Sequence, residues 1–177
     1  MVSEKLPSGE QALQLLRESQ CSLKVIKHCK AVAKLALETA EACKEKGLSV
    51  DLELVEVGAL LHDIGRSKTH TVNHAVVGAE ILEAAGLPEP VISIIKRHVG
   101  GGITTSEAEK LGWPKDIYVP ITLEEKIVSY ADKLIKNSKR VPIEITIEEL
   151  AKERRHDAAE RVRKLNREIA ELIGDCP

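Results

Sequence analysis

His62 and Asp63 end the most apolar stretch of the chain, VEVGALLHDIG at residues 55–65. Burying an unpaired carboxylate costs on the order of several kcal/mol, and a cation opposite it relieves that cost. Two more ionisable groups point the same way. His28 falls on the apolar side of its predicted helix, in step with Val25, Val32 and Leu35. Asp132 interrupts EEKIVSYADKLI close to Ile127, Val128, Leu134 and Ile135. Imidazole and carboxylate together are ligands for divalent iron, manganese, zinc, nickel or cobalt, so one ion held by His28, His62, Asp63 and Asp132 accounts for all four. His74 and His98, on the next two predicted helices, would allow a second ion bridged to the first through Asp63.

Each of these residues has a plainer reading on its own. A lone His28 on an apolar face is a hydrogen-bonded core histidine, and His74 and His98 are capping or surface histidines near helix ends. An adjacent, buried His-Asp pair has few structural excuses, and it carries the argument. His70 and His156 are expected to face solvent. Arg66, Lys68, Arg97 and Lys133 are candidate phosphate clamps because they neighbour the ligands in sequence, with ordinary solvated charge as the alternative. The glycines at 100–102 form either a lid that brings Trp113 or Tyr118 to a nucleobase or a loop that Trp113 anchors to the core. No neighbouring aromatic completes a stacking pocket, which favours the anchor.

The elements that must position these groups are helical. Residues 21–46 alternate Lys and Glu with apolar positions at helical spacing, and Gly47 stops the run. Asp51 can cap a helix to about Asp63, Thr71 to Ala85 reads as another, and Pro88 suits the first turn of one reaching about Val99. Capping-box patterns occur at Ser8/Gln11, Ser106/Glu109, Thr122/Glu125 and Thr146/Glu149. Lys139 to Ile145, with Pro142, reads as a turn or brief strand. A last helix over 146–173 carries a sparse apolar seam that either packs on the core or pairs with a second subunit to make a homodimer. The expected fold is all-α, a single-domain helical bundle of about seven or eight helices over residues 1–177, with the motifs in 21–137 and a C-terminal helical extension at 146–173.

Composition narrows the partners. With no Phe, one Trp and two Tyr, the chain lacks the aromatic platforms of single-stranded nucleic-acid binders. Its 26 basic and 28 acidic residues give a net charge of -2 and no broad basic footprint, so a nucleic-acid polymer is not an expected partner. No apolar run approaches the ~20 residues that span a bilayer, so no membrane is expected either. Cys21, Cys29, Cys43 and Cys176 show no zinc-finger spacing, and a reduced, cytoplasmic protein is expected.

The order His28, His62-Asp63 in HDIG, His74, His98 and Asp132 in YADKL resembles the HD superfamily of metal-dependent phosphohydrolases, specifically its HDIG-type members with two transition-metal ions. The resemblance implies an α-helical bundle and hydrolysis of a phosphoester or phosphoanhydride bond in a small phosphorylated, nucleotide-type substrate. After His98 comes VGGGI, where the cyclic-di-GMP phosphodiesterase branch has HHE and GYP signatures, so that specificity is not implied. The chemistry of the residues agrees: one or two divalent ions would supply hydroxide at neutral pH, with His62 and Asp63 at the reacting centre. A non-catalytic metal- or ligand-binding regulatory module is the alternative.

Overall fold

The computed structural model describes residues 5–174, and Cys176 of the sequence reading lies outside them. Nine α-helices run through these residues: α1 (Gly9–Glu18), α2 (Leu23–Glu45), α3 (Leu52–Leu61), α4 (His74–Ala84), α5 (Glu89–Arg97), α6 (Thr105–Lys110), α7 (Leu123–Lys133), α8 (Ile143–Lys152) and α9 (His156–Ile173). Short 3-10 turns follow α3 at Ile64–Ser67 and α5 at Val99–Gly101. Strands β1 (Ile135–Lys136) and β2 (Lys139–Arg140) form a minimal antiparallel hairpin. Its turn residues Asn137 and Ser138 both have positive φ, 48° and 61°, as a two-residue hairpin connection requires.

The helix count exceeds the expected seven or eight chiefly because the run at 146–173 is not one helix. Pro142 fixes the approach to α8, which begins at Ile143, three residues before Thr146. The chain then breaks at Arg154, whose φ of 59° reverses it into α9. Thr146 is therefore inside α8, and its hydroxyl donates to the carbonyl of Lys133, 2.7 Å away, instead of capping a helix. Ser106 likewise lies inside α6, where Thr104 and Glu107 make the capping box. The boxes at Ser8/Gln11 and Thr122/Glu125 form as read.

Apolar faces explain the packing. Helix α2 buries Val25, Ile26, Val32, Leu35 and Ala36 against α3 and α7, which pack along it. Helix α3 has little polar surface to offer solvent, since Val55, Val57, Ala59, Leu60 and Leu61 are all buried. Glycines permit two close crossings. A Cβ on Gly58 would stand 2.5 Å from Ile94 Cδ1, so this glycine lets α3 press onto α5. A Cβ on Gly65 would stand 2.0 Å from the His74 carbonyl oxygen, so the glycine of HDIG lets the turn after α3 lie directly on the start of α4. The seam of α9 is spent within the chain: Ala158, Val162, Leu165 and Ile169 join the core, covering the face that sequence offered to a second subunit. Among the described residues, no helix is long and apolar enough to cross a membrane.

Candidate metal centre

The six residues singled out in sequence arrive from five places in the fold. His28 comes from the first turns of α2, and His62 and Asp63 from the end of α3. His74 opens α4, His98 follows α5, and Asp132 lies near the end of α7. Their side chains converge. Asp132 Oδ1 is 3.0 Å from His28 Nε2 and 3.3 Å from His62 Nε2. Asp63 divides its two oxygens: Oδ2 lies 3.8 Å from both His28 Nε2 and His62 Nε2, while Oδ1 lies 3.1 Å from His74 Nε2 and 3.6 Å from His98 Nε2. The carboxylate of Asp63 thus stands between two groups of imidazoles.

Backbone carbonyls set the tautomers. His62 Nδ1 is 2.7 Å from the Ala59 carbonyl, His74 Nδ1 is 2.7 Å from that of Thr71, and His98 Nδ1 is 2.7 Å from that of Ile95. A carbonyl only accepts, so each Nδ1 carries the proton and, in the neutral ring, Nε2 presents a lone pair to the centre. Two of these lone pairs oppose each other, with His74 Nε2 3.1 Å from His98 Nε2. His62 Nε2 and Asp63 Oδ1 are buried without a hydrogen-bond partner among the described residues. Opposed lone pairs and unpaired buried acceptors cost free energy that a shared cation removes.

The electrostatics agree. Burial opposes ionisation of Asp63, but His62 and the imidazoles of His74 and His98 outweigh it and hold its carboxyl well below the usual range. Asp132 is also held low against burial, chiefly by Lys133 and then by His28 and His62. For His62, burial disfavours a charge, yet the neighbouring carboxylate of Asp63 raises its pKa well above the ordinary value. Burial pushes His98 down to about 4, leaving a neutral imidazole at ordinary pH. Two ionised carboxylates facing imidazole Nε2 atoms are a donor set for a hard-to-borderline divalent ion, which would displace the extra proton that Asp63 holds on His62. His28, His62 and Asp132, and likewise His62, Asp63 and His98, bring their ligand atoms within 4.8 Å of one another, so these residues could hold metal.

A cavity of about 440 Å³, within the size range of small-molecule sites, opens over these groups and is lined by His28, His74, His98 and Asp132. Of the four cations named as phosphate clamps, Arg66 and Lys133 line it. Arg66 Nε donates to Asp63 Oδ2 at 2.6 Å, and Lys133 pairs with Asp132. Lys68 is exposed and does not line the cavity. Arg97 does not line it either: its guanidinium donates to Glu125 at 2.7 Å and to the Ile117 carbonyl at 3.2 Å, tying α5 to α7. His70 and His156 are exposed, as expected, though His70 reaches the cavity rim. Trp113 anchors its loop. Its Nε1 donates to Asn73 Oδ1 at 2.8 Å and its ring lies 4.8 Å from that of Tyr118.

Sequence reasoning missed part of the surroundings. Ser129 Oγ donates to the His98 carbonyl at 3.0 Å, fixing the end of α5 against α7. Lys136, Thr146, Glu149 and Arg155 wall the cavity from the hairpin and the α8–α9 corner. Of these, Arg155 reads in sequence as part of the charged flank of one long helix, and the break at Arg154 places it in the cavity wall instead.

The profile of the HD domain matches residues 25–137. The chain belongs to the HD domain family. It is 50% identical over 166 residues, 93% of its length and 98% of the relative's, to an uncharacterized protein of Methanocaldococcus jannaschii. It is also 42% identical over 169 residues to a tRNA (cytidine(56)-2'-O)-methyltransferase of Thermoplasma volcanium, but spans only 48% of that protein's length. In structure it is similar to the HD domain of the L. monocytogenes phosphodiesterase PgpH in complex with cyclic-di-AMP, with a TM-score of 0.54, 23% identity and 93% and 96% of the two chains covered. That likeness extends the HD-type helical fold beyond residue 137.

Proposed function

We propose that this HD protein is a metal-dependent phosphohydrolase that cleaves a phosphoester or phosphoanhydride bond in a small, nucleotide-type substrate. One observation carries the reading: the two oxygens of Asp63 each face a separate group of imidazole Nε2 atoms, and His28, His74 and His98 of those groups, with Asp132, line a cavity large enough for a nucleotide. His28, His62, Asp63 and Asp132 would hold one divalent ion, and Asp63, His74 and His98 a second. Such ions lower the pKa of a water towards neutrality and offset charge on the phosphoryl oxygens.

The chain's own groups divide the remaining work. Asp63, ionised and braced by Arg66, orients the attacking water by accepting its proton's hydrogen bond. Carbonyls of Ala59, Thr71 and Ile95 keep the three imidazoles aimed inward, so the centre is organised before substrate arrives. Lys133 and Arg66 hold positive charge at the cavity wall, where phosphoryl oxygens would lie. The cyclic-di-AMP bound by PgpH supports a nucleotide-type ligand for a cavity on this fold.

A regulatory module without turnover is the second reading, favoured by one finding: the same stretch makes up about half of proteins named for methyl transfer to tRNA. The two readings separate in a single assay. Manganese-loaded protein is tested for phosphate release from nucleotides and p-nitrophenyl phosphoesters. Turnover abolished by chelator and restored by metal supports hydrolysis, whereas metal-loaded protein inert to the whole panel supports the regulatory reading.

A further inference from the structure

Arg155 is a cation that the catalytic reading leaves unused. It lines the same cavity as His28, His74, His98 and Asp132, yet it lies in the α8–α9 corner, beyond the matched HD stretch of residues 25–137. Every other Arg or Lys on this cavity wall is already held close by a carboxylate: Arg66 by Asp63, Lys133 by Asp132 and Lys136 by Glu149. Arg155 makes no side-chain hydrogen bond among the described residues, and its one ion pair, to Glu153, is long at 3.7 Å. The backbone is shaped around it. Arg154, at φ 59°, turns the chain so that Arg155 enters the cavity wall, and Gly100 gives it room, since a Cβ there would stand 3.2 Å from the Arg155 guanidinium. A planar guanidinium with free donors in a polar cavity matches a phosphate group bidentately.

We propose that Arg155 binds a second phosphate of the substrate, one that does not react, so that the preferred ligand is a small nucleotide bearing two phosphate groups. Which phosphate is cleaved rests on the hydrolytic reading above; the subsite itself does not. Val72, Val99 and Leu150 line the same cavity and offer apolar surface to a nucleoside.

The test compares adenosine 5′-monophosphate with adenosine 3′,5′-bisphosphate, titrated calorimetrically into protein loaded with calcium in place of manganese to suppress turnover. Wild type should prefer the bisphosphate by about 10- to 100-fold, the size expected of charge-assisted hydrogen bonds. Arg155→Met should bring that preference to about one, and Arg155→Lys should keep part of it, with monophosphate binding unchanged in both as the check on folding. No preference in wild type, or a preference that survives Arg155→Met, overturns the proposal. Phosphate release by manganese-loaded protein is read separately: an Arg155-dependent preference in a protein with no hydrolytic activity refutes the hydrolase reading and leaves the subsite standing, and the reverse result refutes the subsite alone.

Discussion

At the residue scale, the centre was legible because charged groups inside an oily bundle have few cheap explanations. The adjacency of His62 and Asp63 after Val57–Leu61 forced a cation into the argument, and convergence of His28 and Asp132 on the same pair follows from it. The clamps were less legible. Proximity in sequence to a ligand says nothing of direction, and Arg97, one residue from His98, spends its guanidinium on Glu125. His74→Ala removes one imidazole from the group around Asp63 Oδ1 only, so it should lower bound metal by about half while leaving the fold intact, as elemental analysis with circular dichroism would read. The thiols give an independent check on the interior beside the centre. Burial, with smaller contributions from Cys29 and Asp63, pushes Cys21 up to about 11, and its Sγ donates to the Ile64 carbonyl. At pH 8 the group is protonated as well as enclosed, and Cys21 should resist iodoacetamide until the protein unfolds, which peptide mass mapping would detect.

At the element scale, helices α1 to α5 were readable from caps and periodicity, whereas the C-terminal half was read in the wrong frame twice. In ITTSEAEK two capping frames overlap, and the one used is set by a tertiary contact: Ile103 bridges Tyr118, so Thr104 is already at the helix entrance. In VPIEITIEEL the pattern at Thr146 and Glu149 is a helix interior because Pro142 starts the helix earlier. The glycine of HDIG belongs to this scale, since its lack of a side chain lets one element touch another. Gly65→Ala would drive a methyl to 2.0 Å from the His74 carbonyl oxygen, displacing the start of α4 and His74 with it. Urea denaturation should show a loss of about 2 kcal/mol or more, accompanied by weaker metal retention.

At the scale of the whole molecule, the bundle gathers the six candidate side chains from α2, α4 and α7 and the ends of α3 and α5, and α8 with the corner before α9 walls the cavity beside them. The first part was visible in sequence because each of the six candidates sits at a helix end or on an apolar face. The second was hidden, because a reversal at a single residue, Arg154, decides whether Arg155 joins a solvated helix face or the cavity wall. The central claim is a paired metal site organised by Asp63. Elemental analysis of protein purified without chelator and then saturated with manganese tests it most directly, on wild type, Asp63→Ala and His156→Ala. Wild type and His156→Ala should each hold about two ions per chain, and Asp63→Ala close to none. Full metal content in Asp63→Ala, or a wild type that binds no divalent ion at all, would contradict it.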